Sequence, residues 1–491
     1  MRNQVFFGVF FIAMLFSSAS LANGVADGNF LNAVRQMDAN GIVSSLKEGA
    51  DINARDHSQN TALIITTSKR LFRRYETDNI LNISKFLIDK GADVNARNAE
   101  GFTALMYAAR IGHVDTVKLL VREGADVNAR NNEGLSVLMH AASDENAEIA
   151  KFLVKNGADV HATQFSYGSA LSIALNKSNL ETAQYLISKK ADVNVTDDGG
   201  ETPLMIIAKT DHTDMLRLLL KSGANVNAQD KQGRTALMHS LATYKFYADS
   251  VELILAQNPD LNLLDASGLS TLMIALQKNR AEVVPSLLKK GGDINLQDNS
   301  GKTALMLAME LGHKNLINKL IAHEADLNAR DKNGESALMI AIKNNDTAAA
   351  KQLIDKGADI NANNQKGISP LMFAVQERAV DIAKYLIDKG ADVNVKNKAG
   401  DTALMVASDV GQMEIVNLLI EKQADKLDLQ NRDGHTALMR ASFAGNMEIV
   451  KLLVKRGANP KLRDKNGLTA AMAANSQNNH DIVDYLRNLK R

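Results

Sequence analysis

Methionine recurs at one position of this sequence with a regularity that could serve metal or redox chemistry. A thioether sulfur is a soft ligand that suits Cu(I), and methionine is oxidised reversibly, so a ladder of methionines could bind copper or sense oxidants. Methionine is also a flexible filler of apolar cores. We favour the core role and keep metal binding or redox chemistry as the alternative. The ladder consists of Met106, Met139, Met205, Met238, Met273, Met306, Met339, Met372, Met405, Met439 and Met472.

The other residue types that carry chemistry form no catalytic pattern in the sequence. The ten histidines have no H-E-x-x-H spacing, and neither a Walker A sequence nor a G-x-S-x-G sequence occurs. The stretch from Asn194 to Gly199 resembles the start of a calcium-binding loop, but the twelfth residue is Met205 rather than Glu. Cysteine is absent, which excludes thiol nucleophiles, disulfides and cysteine-based zinc sites. We therefore predict a protein that is not an enzyme, with no catalytic residue, cofactor or metal.

The charge balance argues against nucleic acid as a partner. The 491 residues include 57 Lys and Arg against 56 Asp and Glu, a net charge of +1. A protein without an excess of positive charge has no overall field to attract a polyanion or an anionic membrane. Aromatic residues make up only 4% and tryptophan is absent, so we expect a thin core of Leu, Ala, Val, Ile and Met.

The first 22 residues have the form of a secretory signal peptide. Arg2 precedes an apolar run from Val5 to Phe16, and Ser20 and Ala22 suit a cleavage site. The run is too short for a membrane helix, which needs about 20 residues. We predict cleavage after Ala22, a mature chain without a membrane span, and a periplasmic or secreted location. An uncleaved anchor and a buried N-terminal helix are the alternatives.

The rest of the sequence is a repeat with a period close to 33 residues. We count about 14 repeats in residues 23–491, with capping repeats at 23–60 and 468–491. The intervals between marker leucines are mostly 33, with exceptions of 42, 35 and 34. The markers are Leu63, Leu105, Leu138, Leu171, Leu204, Leu237, Leu272, Leu305, Leu338, Leu371, Leu404 and Leu438, followed by Ala471.

The sequence of each repeat predicts two short helices and an extended loop. Thr103 is a natural N-cap for the first helix, Gly112 ends that helix, and Val117 and Leu120 give the second an apolar face. Gly124 suits a left-handed C-terminal cap. Since neither helix can bury its apolar face alone, the repeats must stack. Four repeats lack the capping glycine and carry Lys190, Asn258, Glu324 or Gln423 instead.

The stretches GFTALMYAARIGH and VKLLVREGADVNA, which recur along residues 24–491, resemble the ankyrin repeat. The resemblance implies an all-α ankyrin-repeat solenoid of helix–loop–helix units with extended β-hairpin-like loops. It also implies a non-enzymatic scaffold that binds a protein partner, as yet unidentified, through a concave groove. We expect no small-molecule substrate and a monomer. The family often has His where this chain has the ladder methionines.

Binding specificity in a repeat protein is expected where the repeat is broken, and aromatic and arginine side chains carry most interface energy. Three segments meet this criterion: the insertion within Ser68–Asn82, the loop His161–Ala170 and the expanded loop Leu241–Ser250. The alternatives are a solvated helix end, a Phe165 packed on the neighbouring loop, and local plugging of the expanded loop. The predicted partner-binding residues are Arg70, Arg73, Arg74, Tyr75, Phe165, Tyr167, Tyr244, Phe246 and Tyr247.

The signal segment and the TALM pattern are similar to those of exported bacterial ankyrin-repeat proteins. That resemblance implies a periplasmic role, either in protection against oxidants or in neutralising toxic effectors. Secretion as an effector that binds host proteins is the alternative role.

Overall fold

The computed structural model describes residues 24–69, 74–143, 147–422 and 426–489. The predicted signal peptide therefore lies outside the described residues, as do Arg70, Arg73 and Gln423. The chain divides into two compact units, Met1–Pro259 (the N-terminal unit) and Asp260–Arg491 (the C-terminal unit). Among the described residues, no helix is both long and apolar enough to cross a membrane.

The N-terminal unit is built from helix pairs. After the helix at residues 24–36 (α1), the helices are α2 (Ala39–Lys47), α3 (Ala62–Thr67), α4 (Arg74–Asp89), α5 (Ala104–Ile111), α6 (Val114–Arg122), α7 (Val137–Ala142), α8 (Ala147–Lys155), α9 (Ala170–Asn176), α10 (Leu180–Ser188), α11 (Pro203–Ala208), α12 (Thr213–Lys221), α13 (Ala236–Ala242) and α14 (Ala248–Leu255). A two-stranded antiparallel hairpin, β1 (Thr163–Gln164) and β2 (Gly168–Ser169), precedes α9.

The C-terminal unit repeats the same pairing. Its helices are α15 (Thr271–Gln277), α16 (Val284–Lys289), α17 (Ala304–Glu310), α18 (Lys314–Ala322), α19 (Ala337–Lys343), α20 (Thr347–Asp355), α21 (Pro370–Gln376), α22 (Val380–Asp388), α23 (Ala403–Val410), α24 (Met413–Lys422), α25 (Ala437–Phe443), α26 (Met447–Lys455), α27 (Ala470–Ser476) and α28 (His480–Arg487). The expected all-α architecture of repeated helix–loop–helix units is confirmed in both units.

Local capping chemistry fixes where these helices begin and end. The backbone N–H of Met106 donates to Thr103 Oγ1 at 3.2 Å, as the N-cap prediction requires. Pro203 and Pro370 each occupy the first position of their helix, where a missing N–H costs nothing. Gly112 ends α5 in the left-handed region, with φ of 90°. These boundaries therefore follow from single residues in each repeat.

The first helix of each pair, here named the inner helix, forms the core of its unit. Within each unit, the inner helices from α3 onward pack on the next inner helix of that unit and on their own outer helix, as α5 does on α7 and α6. Ten ladder methionines are at most 3% exposed, so the core role of those ten is confirmed. Met472 is different: it is 46% exposed, which corrects the expectation that every copy is buried. No later inner helix among the described residues packs over α27, which carries Met472.

The outer helices are joined by ion pairs between side chains 30 residues apart. Lys118 Nζ lies 2.6 Å from Glu148 Oε1, and Lys151 Nζ lies 2.5 Å from Glu181 Oε1. Lys384 pairs with Glu414 in the C-terminal unit in the same way. These pairs are solvent-exposed, so each contributes little to stability.

Candidate partner-binding surface

The loops that lead into the inner helices, here named fingers, are shaped by one side chain each. In the finger at Asp298, Oδ1 accepts hydrogen bonds from the backbone N–H groups of Ser300 and Lys302 at 2.8 and 2.9 Å. A short acidic or amide side chain can close a tight turn in this way. The residue that does so is named the turn residue of its finger. The same two bonds recur at Asp56, Asn98, Asp197, Asp230, Asp265, Asp331, Asn364, Asn397, Asn431 and Asp464.

Neighbouring fingers are bonded to each other through the backbone and through asparagine side chains. The N–H of Asn132 donates to the carbonyl of Glu100 at 3.0 Å, and the N–H of Lys231 donates to that of Gly199 at 2.9 Å. Asn95 adds a second link, because its amide donates to Gly124 O at 3.1 Å and accepts from Asp126 N at 2.8 Å. Each bonded finger is therefore held in register with the next.

The finger at residues 159–169 lacks the backbone bond between fingers on both sides. Side chains still join it to the preceding finger, because Gln164 Nε2 donates to Glu133 O at 3.0 Å and Arg130 Nη1 donates to Thr163 O at 2.8 Å. In the part of the N-terminal unit that the structure describes, neither the Phe165 N–H nor the Asp198 N–H makes the bond between fingers. His161 replaces the linking asparagine, and no bond joins its side chain to Asp192. The finger also has Gln164 as its turn residue, and Gln164 Oε1 accepts from the Ser166 and Tyr167 N–H groups at 2.7 and 2.8 Å. This finger is thus built differently from its neighbours.

The altered finger exposes two aromatic side chains. Phe165 is 75% exposed and Tyr167 is 51% exposed, at the tip of the β1–β2 hairpin. Lys231 Nζ lies 5.5 Å from the Phe165 ring centroid, within the range of a cation–π contact. The adjacent finger has glycine at both 199 and 200, so it places no side chain there. The sequence allowed two interpretations of Phe165, an exposed side chain or a side chain packed on the neighbouring finger. The structure favours the exposed side chain.

The expanded loop after α13 exposes one of its three aromatic residues. Tyr244 is fully exposed, whereas Phe246 and Tyr247 are half-buried. Lys245 Nζ lies 5.2 Å from the Tyr247 ring centroid, and Thr243 Oγ1 donates to Ser240 O at 2.9 Å. Phe246 and Tyr247 therefore fit the alternative in which aromatic side chains fill the expanded loop, and Tyr244 remains exposed at the surface.

The structure does not join the predicted residues into one site. Phe165 and Tyr167 precede their inner helix, while Tyr244 follows its own, so these residues lie at opposite ends of the inner-helix row. Arg70 and Arg73 fall outside the described residues, and Arg74 and Tyr75 lie in the first turn of α4. In the described part of the N-terminal unit, the finger at 159–169 carries two exposed aromatic side chains, and the loop after α13 carries one.

Charged side chains also recur at one equivalent position of the inner helices. The residues that lie twelve positions after each turn residue are together named the charge row. Its charged members are Arg110, Lys209, Glu310, Lys343 and Asp409. Three of these pair with the residue eight positions earlier, at the base of the same finger. The pairs are Lys209–Glu201 at 2.7 Å, Glu310–Lys302 at 2.6 Å and Lys343–Glu335 at 3.6 Å. Asp409 instead lies 3.8 Å from Arg440 of the next repeat.

Sequence reasoning missed a buried cluster of Glu201, Asp230 and His239, whose ligand-type atoms all lie within 4.8 Å of one another. These three residue types could hold a divalent metal. However, Lys209 Nζ lies 2.7 Å from Glu201, and Arg234 Nη2 lies 2.9 Å from Asp230. A metal would have to displace these two cations, so the arrangement suits an internal ion network better. Comparing the same positions across repeats, rather than histidine spacing along the chain, would have revealed it.

The network shifts the pKa values of its members. Burial alone would raise the pKa of the Asp230 carboxyl, but hydrogen bonds from Arg234 and His239 bring it below its usual range. Burial lowers the pKa of His239, and its hydrogen bond to Asp230 opposes that shift in part. His239 is therefore neutral near pH 7.

Comparison with known proteins gives one family. A model described as ankyrin repeats in sets of three copies matches residues 30–131, 74–164, 171–265, 239–331, 315–397, 338–429 and 404–490. No curated protein matches the chain.

Proposed function

The chain belongs to the ankyrin-repeat family, and on that premise we propose that it binds a protein partner through its fingers and inner-helix face. Arrays of this family are typically non-enzymatic scaffolds for protein–protein interaction. The observation that carries the proposal is the finger at 159–169, which lacks the backbone bonds to both neighbouring fingers and exposes Phe165 and Tyr167. Exposed aromatic residues on a rigid scaffold are the usual anchors of protein interfaces.

The contact with Lys231 supports a binding role for this finger. A lysine over the Phe165 ring favours one orientation of the ring without covering it, since Phe165 stays largely exposed. Holding a side chain in place before binding reduces the entropy that the complex must lose. Tyr244 is the second exposed aromatic residue, and Arg70, Arg73, Arg74 and Tyr75 remain candidates in the insertion.

The test is capture from extracytoplasmic extract with three forms of the purified chain. The native protein, a Phe165→Ala/Tyr167→Ala variant and a Met413→Ala variant are immobilised in parallel. Met413 is the control because it is an exposed apolar residue on an outer helix, away from the fingers and the inner-helix face. We expect a protein that is held by the native and control forms and lost by the finger variant. A partner retained equally by all three forms would move the site away from this finger.

We propose the bacterial periplasm as the location, with protection against oxidants or neutralisation of a toxic effector as the role. The form of residues 1–22 supports this proposal, and secretion as an effector that binds host proteins is the alternative. N-terminal sequencing of the mature protein tests the cleavage, which should leave Asn23 first. The burial of ten ladder methionines disfavours metal or redox function for them, because their side chains are at most 3% exposed.

A further inference from the structure

Arg110 is the exception in the charge row. The other four charged residues of the row each have an ion-pair partner, and the guanidinium of Arg110 has none among the described residues. Its side chain also makes no hydrogen bond there, and Arg110 is exposed. The reason lies eight positions earlier, where Phe102 occupies the place that Glu201 has beside Lys209.

Two aromatic rings hold the Arg110 guanidinium in place of a carboxylate. Its Cζ lies 5.1 Å from the centroid of Phe102 and 4.8 Å from that of Tyr107. The rings are themselves fixed, since Phe102 is buried, the two centroids are 4.9 Å apart, and Asn98 Nδ2 donates to the Tyr107 hydroxyl at 3.3 Å. A guanidinium that rests on aromatic faces keeps its N–H edges free for a carboxylate.

The neighbouring repeats supply no counter-ion in the row or at the finger bases. The equivalent positions are Asn60 and Ser68 in the preceding repeat, and Leu135 and Ser143 in the following one. Lys69, which follows Ser68 in the preceding repeat, donates to the backbone carbonyl of Arg35. Among the described residues, Arg110 is therefore the one charged member of the charge row without an ion-pair partner, and its two rings hold it in place.

Building on the proposed protein-binding function, we propose that Arg110, seated on Phe102 and Tyr107, binds a carboxylate side chain of an acidic segment of the protein partner. A planar guanidinium binds a carboxylate through two parallel hydrogen bonds. One monovalent cation matches one monovalent carboxylate, whereas a phosphate dianion is usually met by several cations. The other charged residues of the charge row already have an ion-pair partner within the chain. Arg110 is therefore the member of the row that receives its carboxylate from the protein partner.

The same segment can reach the aromatic finger. Phe165 belongs to the second finger after that of Phe102, and packed helices are spaced by roughly 8–10 Å, so two steps across the stack span at least about 16–20 Å. An extended chain rises roughly 3.3 Å per residue, so about six residues cover this distance and a few more cover the offset along the helices. A short peptide can therefore contact Arg110 and Phe165 together.

The probe is a phage-displayed library of random dodecapeptides, selected in parallel on the full chain and on three variants. Arg110→Gln removes the charge and keeps the length of the side chain. Lys209→Gln is the matched control, since it removes a cation of the same row that already has its carboxylate. Phe165→Ala/Tyr167→Ala tests the finger separately, and circular dichroism verifies that each variant is folded.

We expect the native chain and Lys209→Gln to enrich peptides with Asp or Glu at one fixed place, and Arg110→Gln to lose that preference. For a selected peptide, Arg110→Gln should weaken binding about tenfold, and replacing the peptide's acid by its amide should then have no further effect. Arg110→Lys should recover only part of the affinity, because lysine lacks the planar fork.

Two results would overturn the inference. The first is enrichment of peptides without an acidic preference, or with the same acidic preference on Arg110→Gln, because Arg110 then does not bind the carboxylate. If that enrichment is still lost in the Phe165→Ala/Tyr167→Ala variant, the proposed protein-binding function holds without this inference. Failure of the native chain to enrich any peptide contradicts the inference and weakens the proposed function as well.

Discussion

His239 Nε2 lies 2.8 Å from Asp230 Oδ2, and the same two repeat positions are occupied by His140 and Asn131 in a second copy of this arrangement. In the second copy the pair is not satisfied: Asn131 Nδ2 and His140 Nε2 are both buried without a hydrogen-bond partner. Burial, followed by the charge of Arg110, lowers the pKa of His140 to about 4. The two copies therefore differ in one group: a carboxylate oxygen accepts the hydrogen bond of His239, and no such oxygen among the described residues lies beside His140.

Asn131→Asp should convert the second copy into the first. The turn would be kept, because Asn131 Oδ1 accepts from the Leu135 N–H at 2.9 Å as Asp230 Oδ1 accepts from Arg234 N at 2.8 Å. The new carboxylate would favour protonated His140, so its pKa should rise above its native value. NMR titration of the His140 ring measures this directly. An unchanged pKa would mean that the imidazole does not face residue 131.

His140 should make the protein less stable in mild acid. Its folded pKa of about 4 lies below the ordinary value of about 6.5, so the unfolded chain binds a proton in this range and the folded chain does not. The free energy of unfolding should be unaffected above pH 6.5 and fall by about 3 kcal/mol as pH decreases to 4. His140→Ile, which matches Ile206 and Ile274 at the same repeat position, should remove this part of the pH dependence. Urea unfolding of both proteins across that range is the measurement, and equal slopes would exclude His140 as the cause.

The repeat explains why the fold could be predicted so far from sequence. Helix ends depend on local residues such as Thr103 and Gly112, and the burial of the ladder methionines depends on a position that every repeat shares. Met472 lies at that position but lacks the covering inner helix, so its exposure depends on the end of the stack rather than on its own repeat.

The site residues were harder to predict because each depends on partners in another part of the chain. Phe165 is exposed in a finger that lacks the backbone bonds to both neighbouring fingers, and composition alone does not reveal this. Arg110 was missed because it lies in a regular repeat, and its lack of a counter-ion depends on Phe102, eight residues earlier. Such features become visible only when the same position is compared across repeats.

Glu324→Gly should stabilise the C-terminal unit. Glu324 adopts φ of 60°, in the left-handed region where the other repeats mostly carry glycine. A side chain with a Cβ is strained there, so the glycine variant should raise the free energy of unfolding by about 0.5–1 kcal/mol. Denaturant unfolding measures the gain. Ala325→Gly, one residue later, is the control and should destabilise, since Ala325 is buried.

Gly301→Ala should be more damaging than Gly357→Ala in the same unit. Both glycines have positive φ, 81° and 94°, so both substitutions introduce backbone strain. A Cβ at Gly301 would also lie 2.8 Å from the Lys332 nitrogen of the next finger, whereas a Cβ at Gly357 meets nothing within 4 Å. We expect a loss of about 1 kcal/mol at 357 and at least about 2 kcal/mol at 301. Equal losses in thermal or denaturant unfolding would show that the fingers can separate without cost.

Oxidation should distinguish Met472 from the rest of the ladder. Met472 is 46% exposed and Met413, outside the ladder, is 38% exposed, while the other ladder methionines are at most 3% exposed. Dilute hydrogen peroxide should therefore convert Met472 and Met413 to sulfoxides in the native protein, and the buried ladder only after unfolding in urea. Peptide mass spectrometry over time gives the rates, and Met472→Leu should remove the fast ladder signal alone. If ladder methionines such as Met306 react as fast as Met472 in the folded protein, oxidant reaches the core, and a redox role for the ladder would again need to be considered.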